Sequence, residues 1–290
     1  MTLITDKETM KAMVDISYKN EINKAYVKKW YAQMNTLFEI VKVIKNKETI
    51  FLQKTDIFND TIRWGIKAFA IRYLMNAFEH WNFLDMKYNM YYTLANYKYI
   101  PTFSYKPSIR NEQRKEWSQN HTKHIINYDF ALDFDMPKTT KHIKQSSAYK
   151  QCKQIKQLFD DYSFPYTICF SGAGWHIRIH GDFMEQIVPE RDKAIEIYRR
   201  VAKSLREMYN ASTLDTTIYD DRRIWKCEYS VDISRNIVLV PLTDEEFENF
   251  NHEDCKLENV LERNIFKRGL HYRKGNSYIA KKLFDKLGGK

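Results

Sequence analysis

Two aspartates spaced two apart, Asp133 and Asp135, close the apolar run Phe130-Ala-Leu-Asp-Phe-Asp. A strand repeats every two residues, so both carboxylates point to one face of it. Neighbouring carboxylates repel, and burying them unpaired is costly. A divalent cation relieves both, and Mg²⁺ or Mn²⁺ takes oxygen ligands. A bare DxD is more often an exposed strand end with two solvated acids, so other groups must decide. A second group is the turn Ser171-Gly172-Ala173-Gly174, whose glycines let backbone N–H groups approach a phosphate closely. After it, His176, Arg178 and His180 alternate with Ile177 and Ile179, so the three polar side chains share one strand face. A His and an Arg beside a glycine turn suit a triphosphate, although an ordinary hairpin with polar residues outward gives the same pattern. His180, at the strand end, is the weakest of the three. A third group is Leu214-Asp215 followed by Arg223 and Lys226. Alone it reads as a charged turn, and Asp220 and Asp221 read as solvated.

Around these groups the sequence predicts alternating elements. The acidic strand over 127–135 is followed by a helix over about 142–160, with Ile143, Cys152, Ile155, Leu158 and Phe159 at apolar positions. Strands Tyr166–Phe170 and Trp175–His180 flank the glycine turn. A helix over about 189–209 carries Ile197, Val201, Leu205 and Met208, and a strand near Arg222–Cys227 follows. That order is β-α-β-β-α-β, the split βαβ plan of ferredoxin-like and RRM-like sheets. A further strand over Ile237–Pro241 and a capping box at Thr243-Asp-Glu-Glu246 lead into a C-terminal helix. Upstream, helical spacing predicts an amphipathic helix over about 20–45 and a second from Asp60 through Ile62, Ile66, Phe69, Leu74 and Phe78. Tyr88 to Pro101 reads as a strand leading into a loop. The polar, basic residues 102–124 read as a mobile connection, with His121 and His124 solvated rather than ligating metal. The division predicted is a helix-rich N-terminal part over 1–100 and a catalytic core with C-terminal helices over 101–290.

The totals narrow the class. The chain has 290 residues, 8 Gly and 6 Pro, with 15% aromatic residues, which excludes a disordered or fibrous chain. A net charge of +10 suggests a polyanionic partner, nucleic acid first. Cys152, Cys169, Cys227 and Cys255 form no C-x-x-C pair, so no structural zinc is expected, and reduced thiols in a cytoplasm fit. No signal peptide and no long apolar run is present, so no membrane partner is expected.

Together the three groups resemble the archaeo-eukaryotic primase superfamily. Phe130-Ala-Leu-Asp133-Phe-Asp135 is similar to its DxD motif, Ser171-Gly-Ala-Gly-Trp-His176-Ile to its SGxGxH motif, and Leu214-Asp215 through Arg223 and Lys226 to its third. Asp-x-x-Ile-Tyr before the basic pair resembles the PrimPol branch. Tyr91-Tyr-Thr, Tyr229-Ser-Val and Val238-Leu-Val-Pro241 resemble the edges of the primase core. The resemblance covers about residues 88–245. The size and stand-alone core are most similar to CRISPR-associated primase-polymerases. Lys226 stands where PrimPol-like members usually carry Arg, which turns a bidentate contact into a point charge.

The resemblance implies an α+β primase-polymerase core, an RRM-like sheet with an N-terminal helical/αβ subdomain. It implies Asp133, Asp135 and Asp215 as catalytic ligands of two Mg²⁺ or Mn²⁺ ions. Ser171, Gly172, Gly174, His176, Arg223 and Lys226 would bind the incoming dNTP or NTP, and strand alternation adds Arg178. The implied activity is primer synthesis de novo on a single-stranded DNA template followed by extension. CRISPR adaptation proteins are the implied partners. A gap-filling repair polymerase shares the same core. A DxD glycosyltransferase is the rival from another class, and a non-enzymatic RNA-binding module is disfavoured by acids on the central strand.

Overall fold

Phe130, Leu132 and Phe134 alternate with Ala131, Asp133 and Asp135, and this strand is the centre of the fold. The computed structural model describes residues 49–55, 61–67, 88–98, 107–137, 140, 142–232, 235, 237–263 and 274–289. The first elements are β1 (Thr49–Thr55), β2 (Thr61–Lys67), β3 (Tyr88–Thr93), β4 (Ala95–Tyr97), α1 (Pro107–Asn120), β5 (Ile125–Tyr128) and β6 (Phe130–Asp135). Next come α2 (Ser147–Asp161), β7 (Tyr166–Phe170), β8 (Gly174–Ile179), α3 (Gly181–Ile187), α4 (Ala194–Met208) and β9 (Leu214–Asp215). The chain continues through β10 (Ile224–Lys226), β11 (Val231–Asp232), β12 (Ile237–Val238), α5 (Asp244–Glu248), α6 (Leu257–Glu262) and α7 (Ser277–Phe284).

The central sheet has the order β7-β8-β6-β9, and every neighbouring pair is antiparallel. α2 links β6 to β7, a tight turn links β7 to β8, and α3 with α4 link β8 to β9. The fold is α+β. One face of the sheet is apolar and carries the helices. On it Tyr149 of α2 meets Trp175 of β8 with ring centres 5.3 Å apart. Phe130 of β6 meets Tyr198 of α4 at 5.1 Å and Phe284 of α7 at 5.4 Å. α2 begins at Ser146, whose hydroxyl accepts from the Tyr149 N–H, and buries Cys152, Ile155 and Phe159. α4 buries Ile197, Val201 and Leu205 at one-turn spacing. Burying each such aliphatic side chain contributes about 1.5–3 kcal/mol. The opposite face presents Asp133, Asp135, His176 and Arg178.

Several expectations change. The fourth strand of the central sheet is β9, not the strand near Arg222–Cys227. That segment, as β10, pairs with β3 in a second sheet of order β10-β3-β1-β2. Thr61–Lys67 is a strand paired along its length with β1, where a helix from Asp60 was expected. Ile62 and Ile66 fit one-turn helical spacing, but Trp64 between them completes a strand alternation. Residues 107–120 form α1 rather than a loop, with Trp117 buried among mostly exposed neighbours. His121 is buried, not solvated. Its Nε2 lies 3.0 Å from Asp221 Oδ2 and its Nδ1 3.1 Å from the Ser118 carbonyl. The His124 ring stacks on Trp117 at 5.0 Å. The helix expected over 20–45 and the part of the second beyond residue 67 lie outside the described residues. The capping box at Thr243 and Glu246 is formed in both directions. All four cysteines are buried in the core. Among the described residues no helix is long and apolar enough to cross a membrane.

Candidate active site

Register places the acids. In the β6–β9 pair Asp133 stands directly opposite Asp215, and in the β6–β8 pair it stands opposite His176. Directly opposite residues on one face are close neighbours, and like charges there are destabilising. Asp135 stands opposite Gly174, one side-chain repeat further along the same face. The Asp135 N–H donates to the Thr213 carbonyl at 2.9 Å, which fixes this end of β6 to the entry of β9. Asp215 Oδ1 accepts from the N–H and the hydroxyl of Thr217, both at 2.7 Å. Beyond it Ile218 and Tyr219 are buried, and the Tyr219 hydroxyl donates to the Ala131 carbonyl at 2.7 Å. The Ile-Tyr pair of the third motif is therefore an anchor that holds Asp215 against β6.

The electrostatics match this crowding. Burial first, and then the Asp215 carboxylate, push the Asp133 pKa up to about 6, with Arg223 pulling the other way. The Asp135 pKa is also raised, by burial and then by Asp133 and Asp215. His176 is held neutral. Burial and then the neighbouring Lys226 charge lower its pKa to about 3. Its Nε2 lies 3.5 Å from Asp133 Oδ1, longer than an ordinary hydrogen bond, and its ring lies 4.4 Å from that of Trp225. Among the described residues, the buried His176 Nδ1 has no hydrogen-bond partner, and neither has Arg223 Nε. Buried polar atoms of this kind are uncommon in proteins.

The glycine turn is shaped by close packing. A Cβ on Gly174 would stand 2.1 Å from the Phe134 carbonyl oxygen, so only glycine lets β8 start against β6 here. Gly172 has φ +81°, and a Cβ on it would meet the Arg235 side chain at 2.9 Å. The Ser171 hydroxyl donates to the Gly174 carbonyl at 3.2 Å and accepts from the Ala173 N–H at 3.3 Å. Lys226 is buried and its Nζ donates to Asp232 Oδ2 at 2.7 Å, an oxygen that also accepts from Arg235 at 2.9 Å. Burial lowers the Lys226 pKa, with Asp232 opposing.

Arg178 corrects the strand-alternation reading. It shares the His176 face, but that face is covered there by the second sheet, and the guanidinium is 2% exposed. Its Nε donates to Glu228 at 2.8 Å, an NH group donates to Asp129 at 2.9 Å, and its charge lies 5.5 Å from the Tyr92 ring centre. The Tyr92 hydroxyl also donates to Glu228, and Asp129 accepts from Asn96 and the Gly181 N–H. Sequence reading missed Asp129, Glu228 and Asp232. Their only signal was an acid set among apolar neighbours or within a few residues of a basic motif.

Asp133 and Asp135, whose pKa values are raised by burial and by neighbouring acids, form with Asp215 an oxygen-rich, anionic site, and that donor set fits a hard divalent cation. Among the described residues no three Asp, Glu, His or Cys side chains converge into a closed cage. Asp215 turns an oxygen to Thr217, and Asp133 faces His176.

No protein-family model and no curated protein matches the sequence. Among solved structures, the chain is similar to the polymerase domain of Mycobacterium tuberculosis Ligase D, determined in complex with DNA. The TM-score is 0.50 at 11% identity, over 83% of this chain and 90% of that one. The fold is similar to that of a polymerase domain.

Proposed function

We propose that this chain is a metal-dependent nucleotidyltransferase of the archaeo-eukaryotic primase superfamily, a primase-polymerase that starts and extends strands on single-stranded DNA. The observation that carries the reading is the register of Asp133 against both Asp215 and His176, with Asp135 opposite Gly174 of the glycine turn. The likeness to a polymerase domain supports it at the level of fold. Asp133, Asp135 and Asp215 would hold the divalent ions. When bound, these ions supply activation of a 3′-hydroxyl and charge neutralisation at the leaving pyrophosphate. Arg223, whose Nε has no partner among the described residues, brings positive charge to the triphosphate, and Lys226, buried and held by Asp232, stands behind it. His176, neutral and wedged between Trp225 and Asp133, holds the phosphate side of the site without adding charge of its own. Tyr219 and the Ala131 carbonyl keep Asp215 in register during turnover. Arg178, in its buried ion-pair group, is a framework residue in this scheme.

The test uses the purified chain with single-stranded DNA, Mn²⁺, labelled nucleotides and no primer, beside Asp133→Ala. Short products from the wild type alone support priming through this site. Extension of a supplied primer without unprimed products supports the second reading, a gap-filling polymerase. That reading is favoured by the neighbour being the polymerase domain of a ligase. Untemplated turnover of a sugar nucleotide, with silence on DNA, would overturn both in favour of a glycosyltransferase.

A further inference from the structure

We infer that the outer face of α7 and the turns flanking it form a second binding surface, one that takes single-stranded nucleic acid at the end of the central sheet opposite the carboxylates. Residues 274–290 contain five lysines and one aspartate in a chain of net charge +10. Lys274, Tyr278, Lys282 and Lys286 follow one another at four-residue spacing, and all four are exposed. Four residues of helix advance about 6 Å, so Tyr278, Lys282 and Lys286 line a continuous stripe. The stripe is rigidly mounted. Asn276 caps α7 by accepting from the N–H groups of Tyr278 and Ile279, while Ala280, Leu283 and Phe284 are buried on the other side.

Tyr278 is 71% exposed, the most exposed large apolar side chain among the described residues. Lys282 Nζ lies 4.3 Å from its ring centre, which orients the ring and adds charge beside it. An exposed aromatic ring on a lysine-bearing helix face is a composition that binds single strands, with bases stacked and phosphates neutralised. The nearby carboxylates are already engaged: Asp285 by Lys281, and Glu196 by Arg200. Among the described residues Lys274, Lys282 and Lys286 have no ion-pair partner. The position is separate from the catalytic end. A Cβ on Gly275 would touch Pro165, immediately before β7, and β7 begins beside Ile179, whereas the carboxylates lie at the Gly174 end of β8. The two ends of β6 are roughly 17 Å apart. A strand held here is tethered without occupying the site of chemistry, and this surface does not require the polymerase reading to be right.

Fluorescence anisotropy of a labelled oligonucleotide, with chelator and no nucleotide, tests it on the full chain. The triple variant Lys274→Glu, Lys282→Glu, Lys286→Glu is expected to lose at least tenfold in affinity at low salt. Its log-affinity against log-salt slope is expected to flatten by about two, at about 0.7 per lost phosphate contact on a single strand. Tyr278→Ala is expected to weaken binding roughly tenfold, and Tyr278→Phe to retain it, because stacking needs the ring and not the hydroxyl. All four positions are exposed, so the variants fold, which a matching thermal melt verifies. An unchanged salt slope in the triple variant overturns the inference. So does unchanged oligonucleotide binding combined with lost binding to phosphatidylserine vesicles, which would assign the stripe to a membrane surface.

Discussion

Gly174→Ala isolates the contact between the glycine turn and the acidic strand. The added methyl carbon would stand 2.1 Å from the Phe134 carbonyl oxygen and 3.3 Å from Asp135 Cα. Both neighbours are backbone of β6, held between β8 and β9, so neither yields as a flexible side chain does. Restoring van der Waals separation requires the turn to lift by about 1 Å. That lift breaks or stretches the Met136 N–H to Ala173 bond and the Ser171 N–H to Gly174 bond, each 2.9 Å. Forced overpacking of this kind costs about 1–3 kcal/mol. Under the proposed function, a displacement near 1 Å between the phosphate-binding turn and the metal-holding acids would cost about 100-fold in rate. Gly172→Ala is the internal control. Its Cβ meets the flexible Arg235 side chain at 2.9 Å and Ile237 at an ordinary 3.7 Å, so its main cost is the left-handed backbone at φ +81°, about 1–2 kcal/mol, with little change in rate. Thermal melts and single-turnover nucleotide incorporation on both variants give the comparison. Near-wild-type incorporation by Gly174→Ala, or an equal rate loss in Gly172→Ala, would refute the reasoning.

Asp133 carries a pH signature. Its folded-state value of about 6 lies above the ordinary 3.8, so the folded protein takes up a proton between about pH 4 and 6 that the unfolded chain has lost. Stability of the metal-free protein therefore falls as pH rises through that window, by up to about 3 kcal/mol. Asp133→Asn should melt higher than wild type at neutral pH in chelator, lose that advantage near pH 4, and be inactive. Arg178→Met leaves Asp129 and Glu228 buried with an uncompensated charge, so urea titration should show a loss of about 3–5 kcal/mol. Arg223→Ala should weaken triphosphate binding at least tenfold in equilibrium titration and push the Asp133 pKa further up, since the Arg223 charge opposes that rise.

Local pattern made the acidic strand and the glycine turn readable. Alternation at Phe130–Asp135 and at Trp175–Ile179 fixes which side chains share a face, and the two-residue period leaves no other solution once one face is apolar. It does not fix what lies over that face, which is why Arg178 was read as a phosphate ligand although β3 and the Glu228 segment bury it. Pairing partners were equally illegible. Leu214–Asp215 is only two residues long, and nothing local distinguishes it from Ile224–Lys226 as the strand that joins β6. α1 escaped for the opposite reason: Trp117 is the one buried side chain among those described in it, and its sequence has no apolar period to detect. The Ile62–Ile66 segment shows that a four-residue repeat within seven residues fits helix and strand alike.

The division into two sheets has a consequence for how this protein can change. The three carboxylates belong to the central sheet, whereas Lys226 rides on β10, whose register is set by Tyr91 and Tyr92 of β3. Arg223 is tied to the same strand system through its carbonyl, which accepts from the Leu94 N–H at 2.9 Å. Substitutions in β1, β2 or β3 are therefore expected to move Arg223 and Lys226 relative to the acids, within the limit set by Arg178, which ties the central sheet to Glu228 and Tyr92. Under the proposed function such shifts would tune nucleotide preference more than bond-making.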